Sequence, residues 1–260
     1  MNIQAIILSI ALFILIRCTS NSNSSQEETI ITQEFRPLIS HQSYSILLQK
    51  YVSRQGKVNY KEFLQDSTAL NHYLKILSDN PPAKNWSRAD QLAYWINAYN
   101  AFTIQLILRN YPLKSIKDIG SKIKIPFVNT PWDAKFIRIG ESQIDLNEIE
   151  HGILRKNFKE PRIHFAIVCA SVSCPPLLNE AYSPNQLEQQ LNNQALIFIN
   201  DPSRNQIQPD HIKVSKIFSW FKGDFTKNKS LIDFLNQYSK VKINSNANIS
   251  TLEYNWNLNE

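Results

Sequence analysis

The sequence predicts an α+β fold: a single mixed domain, helix-rich, with a buried central helix and a small β-sheet. Three observations lead there. The segment Gln91 to Arg109 is apolar on nearly every side, and a helix of that kind belongs in the middle of a domain. Amphipathic stretches at helical spacing precede it, and short β-branched runs follow it. No internal repeat and no interior linker divides residues 35–258, so one domain is the economical reading.

The amino-terminal run Ile6 to Ile16 is apolar and stops at Arg17-Cys18. A membrane span needs about 20 apolar residues, so the run suits an export signal over residues 1–17. Cys18 sits where a lipoprotein signal places its acylated cysteine. The flanks are imperfect, because Met1 to Gln4 carries no Lys or Arg and Arg17 replaces the usual small residue. Residues 18–34 are polar and rich in Ser and Asn, the composition of a flexible tether. An exported protein is expected, held by a lipid anchor on Cys18 to a membrane of the bacterial envelope or periplasm, with its domain at 35–260.

Within that domain, Phe35 to Val52 carries a helical apolar stripe, and Val58 to Tyr60 reads as extended. Ser67 is placed to cap a second helix, which Asn80-Pro81-Pro82 stops. Ser87 and Asp90 open the central helix, which runs to about Asn110. A loop punctuated by Pro and Trp leads to about Trp132, then a hairpin turns at Gly140-Glu141. Asp145 and Glu148 form a capping pattern for a helix from Leu146 to Lys156. Arg162 to Cys169 is apolar and β-branched and reads as a central strand. Ser183-Pro184 opens a helix that ends near Asn200. Ile207 to Val214 reads as a hairpin, Lys216 to Phe221 and Ser230 to Ser239 as short helices, and Val241 to Ile243 and Thr251 to Tyr254 as closing strands.

Composition excludes several functions. The 5 Gly are far apart, whereas a phosphate-binding loop or dinucleotide fingerprint needs several close together. The 3 Cys cannot build a zinc ribbon or a disulfide framework. The 28 basic and 22 acidic residues are scattered, which describes a solvated basic surface and not a nucleic-acid face. No cofactor and no metal is expected, because His151, His164, Cys169 and Cys174 match no ligand spacing.

Chemistry concentrates around Cys169-Ala-Ser171-Val-Ser-Cys174-Pro-Pro. Backbone amides in such a turn can stabilise a thiolate or an oxyanion. Three readings stand together: an activated thiol, a buried inert thiol, or a Cys169–Cys174 disulfide. Five residues along a strand would put His164 and Cys169 on opposite faces. His151 is therefore the expected base. Glu150 points about 100° away from it around a helix and should not orient it. Asn97 and Asn100 share a face of the central helix, where they either satisfy neighbouring backbone or orient the base. His41 and His72 are read as surface or edge residues, and His211 as part of a polar turn.

Four segments resemble the DUF547 family, a domain of unknown function: YWINAYNAFTI (94–104), IDLNEIEHGILR (144–155), IHFAIVCASVSCPPL (163–177) and EYNWNLN (253–259). The resemblance covers roughly Ile46 to Asn259. It aligns Trp95, Ile96, Asn97, Tyr99 and Asn100 with one motif, Ile149 to Arg155 with a second, and Cys169 with a strand-end cysteine. Members that carry Ser or Pro in place of Cys174 imply that Cys169 is the functional thiol and that a disulfide is not essential.

The expectation is a thiol-dependent hydrolase or transferase acting on an amide, peptide or ester bond. Cys169 would be nucleophile, His151 base, and Asn97 or Asn100 the orienter. Glu150, Arg155, His164, Ser171 and Cys174 would support the site. The alternative is a non-catalytic binding or scaffold lipoprotein for a small-molecule or peptide ligand.

Overall fold

The computed structural model describes residues 39–120, 130–227 and 229–260. The expected export signal and tether, Cys18 and the first residues of the first predicted stripe lie outside them, as does part of the loop before Trp132. Helix α1 spans Gln42–Tyr51, α2 Ser67–Asp79 and α3 Arg88–Asn110. Ser87 caps α3 by accepting the Asp90 amide at 3.1 Å. From Leu92 to Leu108 every residue of α3 is buried except the half-buried Trp95. The all-round apolar pattern therefore does mark the central helix. Each fully buried Leu or Ile contributes about 1.5–3 kcal/mol.

α2 packs on α3 and α1 packs on α2, where Tyr44 of α1 stacks on Tyr73 of α2 at 4.8 Å. Ser67 is the first residue of α2 and makes no cap. The preceding Asp66 is held by Lys50 and Tyr51, at 2.8 and 2.7 Å, so its carboxylate is committed elsewhere. Gly56 needs its freedom: at φ 77° it lies against the backbone of Pro176 and Leu177, where a Cβ would collide.

The hairpin appears as β1 (Ile137–Ile139) paired antiparallel with β2 (Ser142–Ile144). A second sheet orders β3 (Gln206–Ile207), β4 (His211–Val214) and β5 (Asn248–Thr251), with β5 parallel to β4. The predicted closing strand at Val241–Ile243 is not a strand. Asn236 instead holds the Ile243 amide and carbonyl, both at 2.9 Å. The last strand ends at Thr251, short of the expected Tyr254. Helix α4 covers Leu187–Ile199, starting after a turn in which Gln186 donates to Ser183. Five phenylalanines (Phe165, Phe198, Phe218, Phe225, Phe234) form a smaller core beneath this sheet.

The predicted central strand at Arg162–Cys169 is the main correction. Pro161–Phe165 is a turn of 3-10 helix, and the chain then runs on irregularly. Pro161 favours a helical start, and the Glu160 side chain accepts the Arg162 amide at 3.1 Å. Asn100 of α3 then takes the backbone groups a neighbouring strand would have used. It donates to the Ala166 carbonyl and accepts the Val168 amide, each at 2.9 Å. β-Branched residues signalled burial here, and the buried amide supplied the pairing.

Among the described residues no helix is long and apolar enough to cross a membrane. Asn100→Ala should unpair two buried backbone groups at about 1–3 kcal/mol each. The expected outcome is a loss of roughly 2–5 kcal/mol in urea unfolding; an unchanged midpoint would show that the amide does not hold this segment.

Candidate functional site

The site is built where α3, the segment after Phe165 and the chain's last residues meet. Asp145 Oδ1 accepts the Glu148 amide at 2.7 Å, as the capping pattern predicts. The helix that follows, Glu148–Phe158, is wound as a π-helix, a form often found at functional sites. Glu150 faces inward and His151 outward, so the expected divergence of these two neighbours holds.

The closing segment is drawn in as a strap. Val172 and Ser173 donate to the Asn257 and Asn255 carbonyls at 2.8 and 3.2 Å, and Asn259 donates to Ala170 at 3.3 Å. The strap carries Tyr254 and Trp256 to a cavity of about 160 Å³. Glu150, His164, Cys169 and Cys174 also line it, together with Tyr99, Trp132, Trp220 and Phe221. His164 and Cys169 therefore both line this cavity, because the segment between them is not a strand and the alternation argument does not apply.

His164 is buried and Nε2 lies 2.8 Å from Asp224 Oδ2. Arg155 clamps the same carboxylate with two bonds, at 2.6 and 3.2 Å. The His164 hydrogen bond and the Arg155 guanidinium hold Asp224 well below the usual carboxylate range. An ionised Asp224 accepts, so Nε2 of His164 carries the hydrogen and Nδ1 is free to act as a base. Burial lowers the His164 pKa, partly offset by Asp224, which keeps the ring neutral at pH near 7. Phe221 stacks on His164 at 4.0 Å.

His151 is exposed and accepts from Arg155 at 3.0 Å. It stands 6.3 Å from Phe221, whose ring is also stacked on His164, and it is not on the cavity wall. Burial and the Arg155 charge lower its pKa. Asn97 exchanges hydrogen bonds with the Tyr182 backbone at 2.8 and 2.9 Å. With Asn100 bound to Ala166 and Val168, both amides are spent on backbone. His41 bonds the Tyr73 hydroxyl at 2.7 Å, His72 is exposed, and His211 opens β4.

Cys169 and Cys174 are joined by a disulfide, one of the three sequence readings of the turn. The loop it closes is short and stabilises by only about 2 kcal/mol. Ala170, the next residue, adopts φ 59°, a left-handed conformation that costs alanine about 1–2 kcal/mol. The Ser171 and Tyr254 hydroxyls each lie 3.3 Å from Cys174 Sγ and 3.4 Å from Cys169 Sγ. Sequence reasoning missed Asp224 and the aromatic residues of the cavity. Tyr99, Tyr254 and Trp256 do fall within segments 94–104 and 253–259, whereas Asp224 carries no local signal.

Residues 83–199 match the family model described as "Protein of unknown function, DUF547". No curated protein and no solved structure matches the chain.

Burial pushes the Glu150 carboxyl up to about 7, against the pull of Arg155. Its value is raised on folding, so its contribution to stability is complete below about pH 4.5 and lost as pH rises through about 7. Glu150→Gln cannot ionise and escapes that loss. The variant should gain on the wild type by up to about 3 kcal/mol between roughly pH 5 and pH 8, read from urea midpoints. Parallel pH profiles would contradict the burial of an ionising group at this position.

Proposed function

We propose that this chain, which belongs to the DUF547 family through residues 83–199, is a thiol-dependent hydrolase or transferase acting on an amide, peptide or ester bond. The observation that carries the reading is that the Asp224-bound His164 lines the same cavity as Cys169. This is a nucleophile, base and orienter arrangement. His164 takes the role first expected of His151, and Asp224 the positioning role first expected of Asn97 or Asn100.

The disulfide is the resting state in this proposal. A dithiol reductant converts it to two thiols and is itself oxidised to a disulfide. Cys169, half-buried where Cys174 is buried, is the sulfur that meets substrate. His164 Nδ1 takes the Cys169 proton as the thiolate adds to the carbonyl carbon. The same proton passes to the departing amine or alcohol, leaving a thioester. Water then attacks that thioester, giving its proton to His164 and releasing the acid with the thiol restored; an acceptor amine or alcohol in place of water gives transfer. The Ala170 and Ser171 amides donate to nothing among the described residues and are offered as oxyanion donors.

The bridge also supports an oxidising compartment, in keeping with an export signal over residues 1–17 and with a lipid anchor on Cys18 that holds the protein to a membrane. One observation favours the second reading, a non-catalytic binding or scaffold protein: a sulfur held in a disulfide cannot attack. The test is reduction followed by iodoacetamide labelling and by hydrolysis of activated acyl esters. Cys169 should label well below the free-thiol value of about 8.5, and Cys169→Ala should abolish turnover without loss of fold. His164→Ala should cost on the order of 100-fold or more. A rate kept in His164→Ala and lost in His151→Ala would overturn the assignment of the base, and a reduced protein that neither labels nor turns over would favour the binding reading.

A further inference from the structure

We propose that the aromatic end of this cavity receives a cationic amine or quaternary ammonium group, seated against Trp220 and Trp256 with the Glu150 carboxylate as its counter-charge. The inference rests on the reading above only in treating that group as part of the substrate; the binding itself needs no thiol.

The rings come first. Trp256 lies 5.8 Å from both Trp132 and Trp220 and 4.6 Å from Tyr254, and Trp220 lies 4.7 Å from Tyr254. Tryptophan faces are the best aromatic partners for a cation, and cages of such rings take quaternary ammonium groups. This protein already uses one of them so: Lys117 Nζ stands 3.8 Å from the Trp256 ring centroid. Lys117 is exposed and reaches the ring on a flexible stem.

The charge balance points the same way. Arg155 and Asp224 neutralise one another in a two-bond clamp, and His164 is held neutral by burial. Glu150 is only 8% exposed. Its Oε2 lies 3.4 Å from the Tyr99 hydroxyl. Its Oε1 has no hydrogen-bond partner among the described residues and stands 4.0 Å from His164 Nδ1. A carboxylate there lacks a paired cation on the cavity side, and unpaired buried charge is costly. An incoming cation supplies the missing charge, an anionic group would add to the excess, and a neutral group would leave it unchanged. The cavity of about 160 Å³ has room for a group about the size of benzene, which a trimethylammonium head fits.

The test uses the oxidised, full chain and follows tryptophan fluorescence, since three of the lining rings are Trp. Choline is titrated against its uncharged isostere, in which carbon replaces the quaternary nitrogen, at about pH 8 so that Glu150 is ionised. Choline should bind at least about tenfold more tightly. Trp220→Leu, at a half-exposed position, and Glu150→Gln should each remove most of that preference. Equal binding of the two probes, or no binding of choline at high millimolar concentration, would overturn the inference. Such a failure is separate from a failure of the thiol reading, because the oxidised protein has no free Cys169 to report on.

Discussion

A backbone segment that crosses a protein interior without strand neighbours must have its polar groups satisfied by side chains. Here that constraint falls on residues 166–168, and Asn100 meets it from the middle of α3. Because the amide binds one carbonyl and one amide two residues apart, it sets both the position and the path of the chain just before Cys169. The 3-10 turn that places His164, the left-handed Ala170 and the Cys169–Cys174 bridge all follow within a few residues of that clamp. Asn97, one turn earlier, does the same for the Tyr182 backbone on the far side of the cysteine turn. The two asparagines thus tie the cysteine loop to the longest helix among the described residues.

The interior around the cavity is electrostatically graded. Asp224 is ionised and doubly restrained, His164 is neutral with a defined tautomer, and Glu150 sits in surroundings that favour its protonated form. Three titratable groups within one small volume thus have their ordinary values moved in different directions by burial, hydrogen bonding and one guanidinium. Such separation is what acid–base chemistry near neutral pH requires, and it also sets the sign of charge the cavity accepts.

The disulfide lies between these two aspects. A core of this size does not require a staple, and a loop as short as Cys169–Cys174 adds little chain restriction. The bridge sits on the cavity wall with two hydroxyls close to its sulfurs, which is a position suited to reaction and poorly suited to reinforcement. Reduction would free a thiol in a turn whose backbone is already fixed by the carboxy-terminal strap and by Asn100.

Much of the fold was written in local pattern. The all-round apolar run of α3, the Asp145 and Glu148 cap and the hairpin at Gly140 depend on neighbours in sequence, and the chain alone determined them. The reading of Arg162–Cys169 failed because β-branched burial is common to strands and to irregular core segments, and only the partner distinguishes them. That partner, Asn100, lies more than sixty residues away. The placing of His164 on the cavity and of His151 away from it was likewise tertiary: His164 is held by Asp224 and Phe221, which arrive from a later part of the chain. So does the aromatic cavity, since Trp132, Trp220 and Trp256 come from three separated segments. Sequence determined which residues could carry chemistry, because reactivity belongs to side-chain type. Tertiary structure decided which of them meet, because distance and burial exist only once the chain has closed on itself.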